Sequence, residues 1–379
     1  MKKFYSFFLV AVCLFATSFA YAATRTVYFQ DNYSWANNGG IYIYLKSSSD
    51  ATHENAQEPG VAVTENVATN LYKFTIEDDT FDKLKFSNNG NWPTGELDIV
   101  DNGVYKSDGY YTKFVPVCFD NFKSDWENVK IHNWGQNVVG PLQLETKGNV
   151  YSWLVSEGTK FIFYTGDWAA QTGDLTDYNQ IYYYGGSFPR DVYALGKIGL
   201  KGASEATSWN PDNGDFKLSY LGKGVYEINN IQMFEDGKDG ETSYSKFRFH
   251  TALNSDWNNS GTHYRPTEDK LLNIGTGTST TGVTTDGTGD KSWKVVTALT
   301  KDSETKADTY YVYDLKLDLF NNELTIDGTK HTTGVESISV EDSAAPVEYF
   351  NLQGVRVENP ENGLYIVRQG NKVSKQLIR

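Results

Sequence analysis

The chain has 379 residues and carries 48 Asp and Glu against 34 Lys and Arg, a formal net charge of −14 at pH 7. That balance argues against a nucleic-acid or anionic-membrane partner, because phosphate binding needs clustered Lys and Arg; a neutral polysaccharide meets no such obstacle. Length allows two to four domains at about 100–200 residues each. Of the two cysteines, Cys13 falls in the leader described next, so Cys118 has no internal disulfide partner and apolar cores must hold the domains.

Lys2 and Lys3 precede an apolar run over 4–19 that ends in Ala20-Tyr21-Ala22. This is the pattern of a secretory signal peptide, assigned to 1–22. Its apolar core is shorter than the about 20 residues of a membrane span, and no later stretch would act as a transmembrane segment after cleavage. Cys13 follows Val12 inside the apolar run, which speaks against a lipid anchor.

Strand signals follow, short alternating runs separated by Gly, Asn and Asp. Thr26-Val27-Tyr28-Phe29, Ile41-Tyr42-Ile43-Tyr44, Leu71-Tyr72-Lys73-Phe74 and Lys83-Leu84-Lys85-Phe86 are the first four. No helical period is sustained after the leader. The expected fold is all-β: several immunoglobulin-like antiparallel β-sandwich modules in tandem with a small C-terminal β tail.

The chain also repeats itself. Val27-Tyr28-Phe29-Gln30-Asp31-Asn32 with Trp35 aligns with Val117-Cys118-Phe119-Asp120-Asn121 with Trp126, and Ile41-Tyr42-Ile43-Tyr44 aligns with Val129-Lys130-Ile131-His132-Asn133-Trp134. Phe86, Trp92 and Gly95 near the end of the first copy face Phe163, Trp168 and Gly173 of the second. Two related sandwiches are therefore predicted over 24–113 and 114–188. A larger sandwich over 189–330 follows, in which the Gly, Thr, Ser and Asp stretch 275–290 reads as a flexible inserted loop. Residues 331–346 read as a linker, and 347–379 as a compact tail of three or four short strands.

These motifs resemble known families. Both repeats are similar to the starch-binding modules of carbohydrate-binding families 25 and 26, the second most closely, through Phe119-Asp120-Asn121, Trp126, His132-Asn133-Trp134 and Gln171-Thr172-Gly173-Asp174-Leu175. The first departs, with Tyr42 and Tyr44 in place of His132 and Trp134, and Pro93 where the family's Gln belongs. The third region resembles domains of outer-membrane starch-binding lipoproteins through Trp209-Asn210-Pro211, Phe247-Arg248-Phe249 and Asp256-Trp257. The tail, with Tyr349-Phe350-Asn351-Leu352-Gln353-Gly354 and Gly363-Leu364-Tyr365-Ile366-Val367, is similar to the C-terminal sorting domain of type IX secretion substrates. The resemblances imply a secreted or cell-surface protein, on the exterior of a Gram-negative outer membrane. Its implied partners are starch, glycogen or maltooligosaccharides, with separate amylases nearby.

The chemistry fits such a partner. An α-glucan presents an apolar ring face bordered by hydroxyls, which flat aromatics cover while a few polar groups bond the rim. Residues two apart on a strand project from one face, so Tyr42 with Tyr44, and His132 with Trp134, each form a two-point platform. Trp35, Trp92, Trp126 and Trp168 join them as stacking candidates, while Trp153 reads as core. Gln171 either bonds sugar or caps its turn. Trp209 and Trp257 are the candidates in the third region, with Tyr264 and Trp293 behind them. No histidine spacing fits a metal, and no cofactor is expected. Tandem repeats leave no room for a barrel enzyme of about 250 residues, and no pair of placed carboxylates is recognisable, so a non-catalytic protein is expected. The alternatives are a structural or adhesive surface protein, or an accessory of a glycan-degrading system with an unrecognised activity.

Overall fold

The computed structural model describes residues 24–203, 206–207, 209–286, 291–297, 300–301, 308–332, 347–351, 356–358, 360, 363–369 and 372–378. The expected signal peptide and nearly all of the expected linker lie outside these residues. The chain is all-β, with β-sandwich modules in tandem and a small C-terminal sheet. It divides into two compact units, one ending at Asp191 and including Tyr220–Gly224, the other made of Val192–Ser219 and Val225–Arg379.

In the first unit the strands include β1 (Arg25–Gln30), β2 (Ile41–Lys46), β3 (Glu65–Ala68), β4 (Leu71–Ile76), β5 (Lys83–Asn88), β6 (Gly103–Lys106), β7 (Gly109–Asp120), β8 (Val129–Trp134), β9 (Leu142–Gln143), β10 (Val150–Ser156), β11 (Lys160–Thr165) and β12 (Gln180–Tyr183). Pairing is antiparallel apart from β1 with β6 and β7 with β12, which are parallel. In the first sandwich a back sheet carrying β1, β4 and β6 packs against a front sheet carrying β2 and β5. Alternation sends Val27, Phe29, Ile41, Ile43, Leu84 and Phe86 into the core between them. The second sandwich repeats the plan: Val117, Phe119, Trp153 and Val155 from β7 and β10 meet Val129, Ile131, Phe161 and Phe163 from β8 and β11.

The repeat is visible atom by atom. Phe29 stacks on Trp35 with ring centroids 5.0 Å apart, and Phe119 stacks on Trp126 at 5.0 Å. Asp31 Oδ1 accepts from the Trp35 amide and Asn121 Oδ1 from the Trp126 amide, each at 2.9 Å. Each side chain satisfies backbone donors at the start of its turn, and so fixes where the indole lands.

The two sandwiches do not hang on a linker. Strand β7 serves both: Gly109–Lys113 pairs with β6, and its continuation from Phe114 to Asp120 pairs with β10. The back strands of both sandwiches belong to one nine-stranded sheet, and Tyr28, Leu71, Val104, Phe114, Leu142 and Leu154 on its face away from the two cores form a third core with Val139. Tyr28 and Phe114 touch edge to face, 4.9 Å between centroids. Such pairs contribute about 0.5–1.5 kcal/mol beyond area burial. The segment Tyr220–Gly224 completes this unit, with the Tyr220 hydroxyl donating to Asp120 Oδ2 at 2.6 Å.

The second unit is built on an antiparallel ladder of β13 (Tyr193–Gly196), β14 (Val225–Met233), β15 (Thr242–His250), β16 (His263–Pro266), β17 (Gly277–Thr284), β18 (Trp293–Val296), β19 (Asp308–Asp318) and β20 (Glu323–Thr332). The stretch expected to be a flexible loop is, over Gly277–Thr284, a strand paired with β20 through Ser279 with Ile326 and Thr281 with Leu324. Its β-branched residues suit a pleated surface, and Thr281 and Val283 are buried. Composition hid an ordinary alternation. The last four strands, β21 (Val347–Phe350), β22 (Arg356–Val357), β23 (Gly363–Gln369) and β24 (Lys372–Ile378), form a separate sheet.

Candidate aromatic binding surfaces

The front sheet of the second sandwich presents the best-formed surface. Because Val129, Ile131 and the buried Asn133 face inward, Lys130, His132 and Trp134 of β8 face out. Their cross-strand partners on β11 are Tyr164, Ile162 and Lys160. The His132 and Trp134 rings lie nearly parallel, 5.6 Å apart and 18° between planes. Trp168 meets His132 edge-on at 5.9 Å and stacks on Tyr164 at 3.8 Å. Four rings therefore converge on one face.

Trp168 reaches this face because its turn is held open. Its φ of 63° is left-handed, a conformation that costs a bulky residue roughly 1–2 kcal/mol. The turn offsets that cost with hydrogen bonds. The Trp168 amide donates to Thr165 O at 2.8 Å, the Thr165 amide to Ala170 O at 2.9 Å, and the Ala169 amide to Asp167 Oδ1 at 3.1 Å. Hydrogen bonds from the Thr165 side chain and then the Ala169 amide hold the Asp167 carboxyl below its usual range. Beyond the turn Thr172 clamps β11, its amide donating to Phe163 O at 2.8 Å and its hydroxyl accepting from the Phe163 amide at 3.1 Å. The result is an indole 52% exposed. Gln171 is exposed beside it, bridged through the backbone to Tyr164.

The first sandwich repeats the frame with other side chains. Thr94 clamps Phe86 as Thr172 clamps Phe163, with bonds of 2.8 and 3.0 Å. Trp92 also sits at left-handed φ, 50°, and is 79% exposed. Tyr42 is half-buried, whereas Tyr44 is only 7% exposed. The Tyr44 hydroxyl donates to Glu54, and Lys85 Nζ lies 5.5 Å from its ring centroid. Burial first, and then the Glu54 hydrogen bond, push the Tyr44 hydroxyl up to about 12. Ion pairs of Lys46 with Glu96, Lys83 with Asp98, and Lys85 with Glu58 fence this face. A groove of about 510 Å³ remains, lined by Tyr44, Glu58, Lys85, Ser87 and Glu96 among others. A separate hollow of about 610 Å³ is lined by Tyr33, Trp35, Asn88, Trp92, Pro93 and Ser107.

Two of the expected stacking residues turn inward, which corrects their assignment as open platforms. Trp35 is 5% exposed and packs in the first core. Trp126 is half-buried, packed against the second core and against Tyr184 at 5.2 Å. Their capped turns fold each indole onto the adjoining Phe. Trp153 is core, as its alternation indicates.

The second unit brings together Trp209 and Trp257, 48 residues apart in sequence, with centroids 6.2 Å apart and planes tilted by 36°. The guanidinium of the buried Arg248 lies 5.3 Å from the Trp209 ring and 5.2 Å from the Trp257 ring, a cation–π arrangement that strengthens when desolvated. Trp209 Nε1 donates to Asp236 at 3.2 Å. His263 stacks on Trp257 at 5.6 Å, and burial, then Arg248, push its imidazole down to about 4. Trp293 is fully buried and is core, and Tyr264 is half-buried. Sequence reasoning missed Tyr164, Tyr33, Arg248 and His263. Tyr164 alternates with the core residues Phe161 and Phe163, and that was the available signal.

No protein-family model and no curated protein matches the chain. A structural similarity is found to CBMbc, a family CBM26 module from Eubacterium rectale Amy13K crystallised with maltoheptaose. It has 12% sequence identity and a TM-score of 0.19, over 42% of this chain and 90% of that one.

Proposed function

We propose that the protein is an exported, non-catalytic binder of starch-like α-glucans. The observation that carries this reading is the convergence of His132, Trp134, Tyr164 and Trp168 on one open sheet face. Rings held by cross-strand register and a hydrogen-bonded turn lose little freedom on binding, and their faces match the apolar faces of pyranose rings. Lys130 and Gln171 at the margin supply donors and an acceptor for sugar hydroxyls. The Trp209 and Trp257 pair over Arg248 is a second platform of the same chemical kind. Export through the leader, and sorting to the cell exterior through the tail, belong to this proposal, as does supply of bound glucan to separate amylases.

Native electrophoresis through gels containing amylopectin tests it. The mature chain is expected to be retarded, and Trp134→Ala with Trp168→Ala is expected to remove at least about ten-fold of the affinity contributed by the second sandwich. Migration of the unaltered chain that ignores amylopectin, and no heat on titration with glycogen or maltoheptaose, would sink the reading.

A further inference from the structure

The two sandwiches differ in the turns that follow β6 and β12. Phe29 pairs with Tyr105 in the first and Phe119 with Tyr182 in the second, so these two strands are equivalent in register. Ser107 therefore stands where the second sandwich has Tyr184. That exchange decides what covers the capped indole. Tyr184 packs on Trp126 at 5.2 Å, whereas Ser107 and Trp35 line an open hollow of about 610 Å³. A second exchange concerns Trp92. Thr94 clamps Phe86 as Thr172 clamps Phe163, so the next residues, Ser87 and Tyr164, correspond. Trp168 stacks on Tyr164. Ser87 offers no ring to stack on, and Trp92 lines the hollow, together with Tyr33.

The walls of this hollow are preset. The buried Asp31 carboxylate accepts from the amides of Tyr33, Trp35 and Ala36 at 3.3, 2.9 and 3.0 Å, which fixes the turn carrying Tyr33. The turn carrying Trp92 is closed by Asn88 and Asn91, whose amides and carbonyls bond each other at 2.9 Å in both directions. Yet both rings are open to solvent, Tyr33 at 66% and Trp92 at 79%. Rings ordered before a ligand arrives lose little freedom on binding it. None of the lining residues is charged, which suits a neutral ligand. Asn88 supplies amide donors and an acceptor, and Ser107 a hydroxyl. The volume lies within the about 300–1,000 Å³ of small-ligand sites.

We propose that this hollow is a separate α-glucan site of the first sandwich, with Tyr33 and Trp92 as its stacking rings and Asn88 and Ser107 bonding the hydroxyl rim. The proposal deepens the glucan-binding reading above and rests on it. The groove at Tyr44 is a different surface, sharing only Pro93 with the hollow. The second sandwich lacks such a site because Tyr184 fills the equivalent place.

Fluorine NMR of the full mature chain labelled with 5-fluorotryptophan tests it, with the Trp92 and Trp168 resonances assigned by their loss in Trp92→Phe and Trp168→Phe. Both are expected to shift on titration with maltotriose. Ser107→Tyr, which places in the hollow the ring that the second sandwich already has, should weaken the Trp92 response at least about ten-fold and leave the Trp168 response at parent affinity. Tyr33→Ala removes an exposed ring and should weaken the Trp92 response to a similar extent, so the test stands even where the larger residue disturbs its turn. A Trp92 resonance that stays fixed while that of Trp168 moves would overturn the hollow site and leave glucan binding standing. A Trp92 response that keeps parent affinity in Tyr33→Ala, or in a folded Ser107→Tyr chain, would do the same. If neither resonance moves with maltotriose or maltoheptaose, both readings fall.

Discussion

The two front sheets of the first unit share a frame and differ in what covers it. Both end in a left-handed tryptophan, Trp92 or Trp168, followed by a threonine clamp, Thr94 or Thr172. On the second sheet the cross-strand neighbours are a ring, an aliphatic and a single lysine, Tyr164, Ile162 and Lys160. On the first they are lysines and glutamates that pair across the face and leave Tyr44 beneath them. Outward direction on a strand is thus a matter of backbone alternation, while availability is decided by cross-strand neighbours.

The largest effect should come from breaking the frame that makes the two faces comparable. Phe114 is buried where β7 crosses between sandwiches and touches Tyr28. Phe114→Ala should cost about 3–5 kcal/mol, read as a lower midpoint in urea. It should also split one cooperative unfolding transition of the unit into two. A loss under 1 kcal/mol, or a single unaltered transition, would show that the third core does not couple the sandwiches.

Much of this architecture was legible in sequence. Alternation placed Ile41, Ile43, Val129 and Ile131 in the cores, and self-similarity placed Trp92 opposite Trp168. The third core was legible too, but went unread: Val27-Tyr28-Phe29 and Trp153-Leu154-Val155 are unbroken apolar runs, the pattern of strands buried on both faces. Trp35 and Trp126 could not be assigned by spacing, because an indole in a capped turn can swing out or fold back. Here Asp31 and Asn121 fix the turns so that each indole lies on a Phe. Arg248 was hidden for another reason. Nothing in Phe247-Arg248-Phe249 tells that two tryptophans from distant loops will close over the guanidinium.

A smaller effect separates the faces by pH. Tyr44 keeps its proton in the fold beyond the point where the unfolded chain releases it, with its pKa raised from 10.0 to about 12 by burial and then by Glu54. A raised pKa contributes stability that is full below about pH 10 and is lost as pH climbs through about 12. Tyr44→Phe should therefore cost about 0.5–1.5 kcal/mol at neutral pH, the worth of one hydrogen bond. The gap between variant and parent should narrow at about pH 11. A gap that stays constant in urea titrations across that range would assign the loss to packing rather than to the hydroxyl. Glucan binding by the second sandwich should be unmoved by the change at neutral pH.

The smallest effect asks whether the charged cover on the first face is what weakens it. Lys85 lies over the Tyr44 ring and is held by Glu58 at 2.9 Å, so a sugar seeking that ring must first displace an ammonium. An exposed cation–π contact is worth about 0.5–1 kcal/mol. Lys85→Ala should accordingly tighten maltoheptaose binding at the first face by about two- to five-fold, measured by calorimetry in a chain carrying Trp168→Ala and Trp257→Ala. The same substitution removes a surface ion pair, which contributes about 0–1 kcal/mol to stability, so a small drop in unfolding midpoint with a gain in affinity is the expected signature. Weaker binding would mean that the ammonium donates to the sugar instead of excluding it. The first face would then be a polar site beside Trp92, and its likeness to the second would end at the backbone.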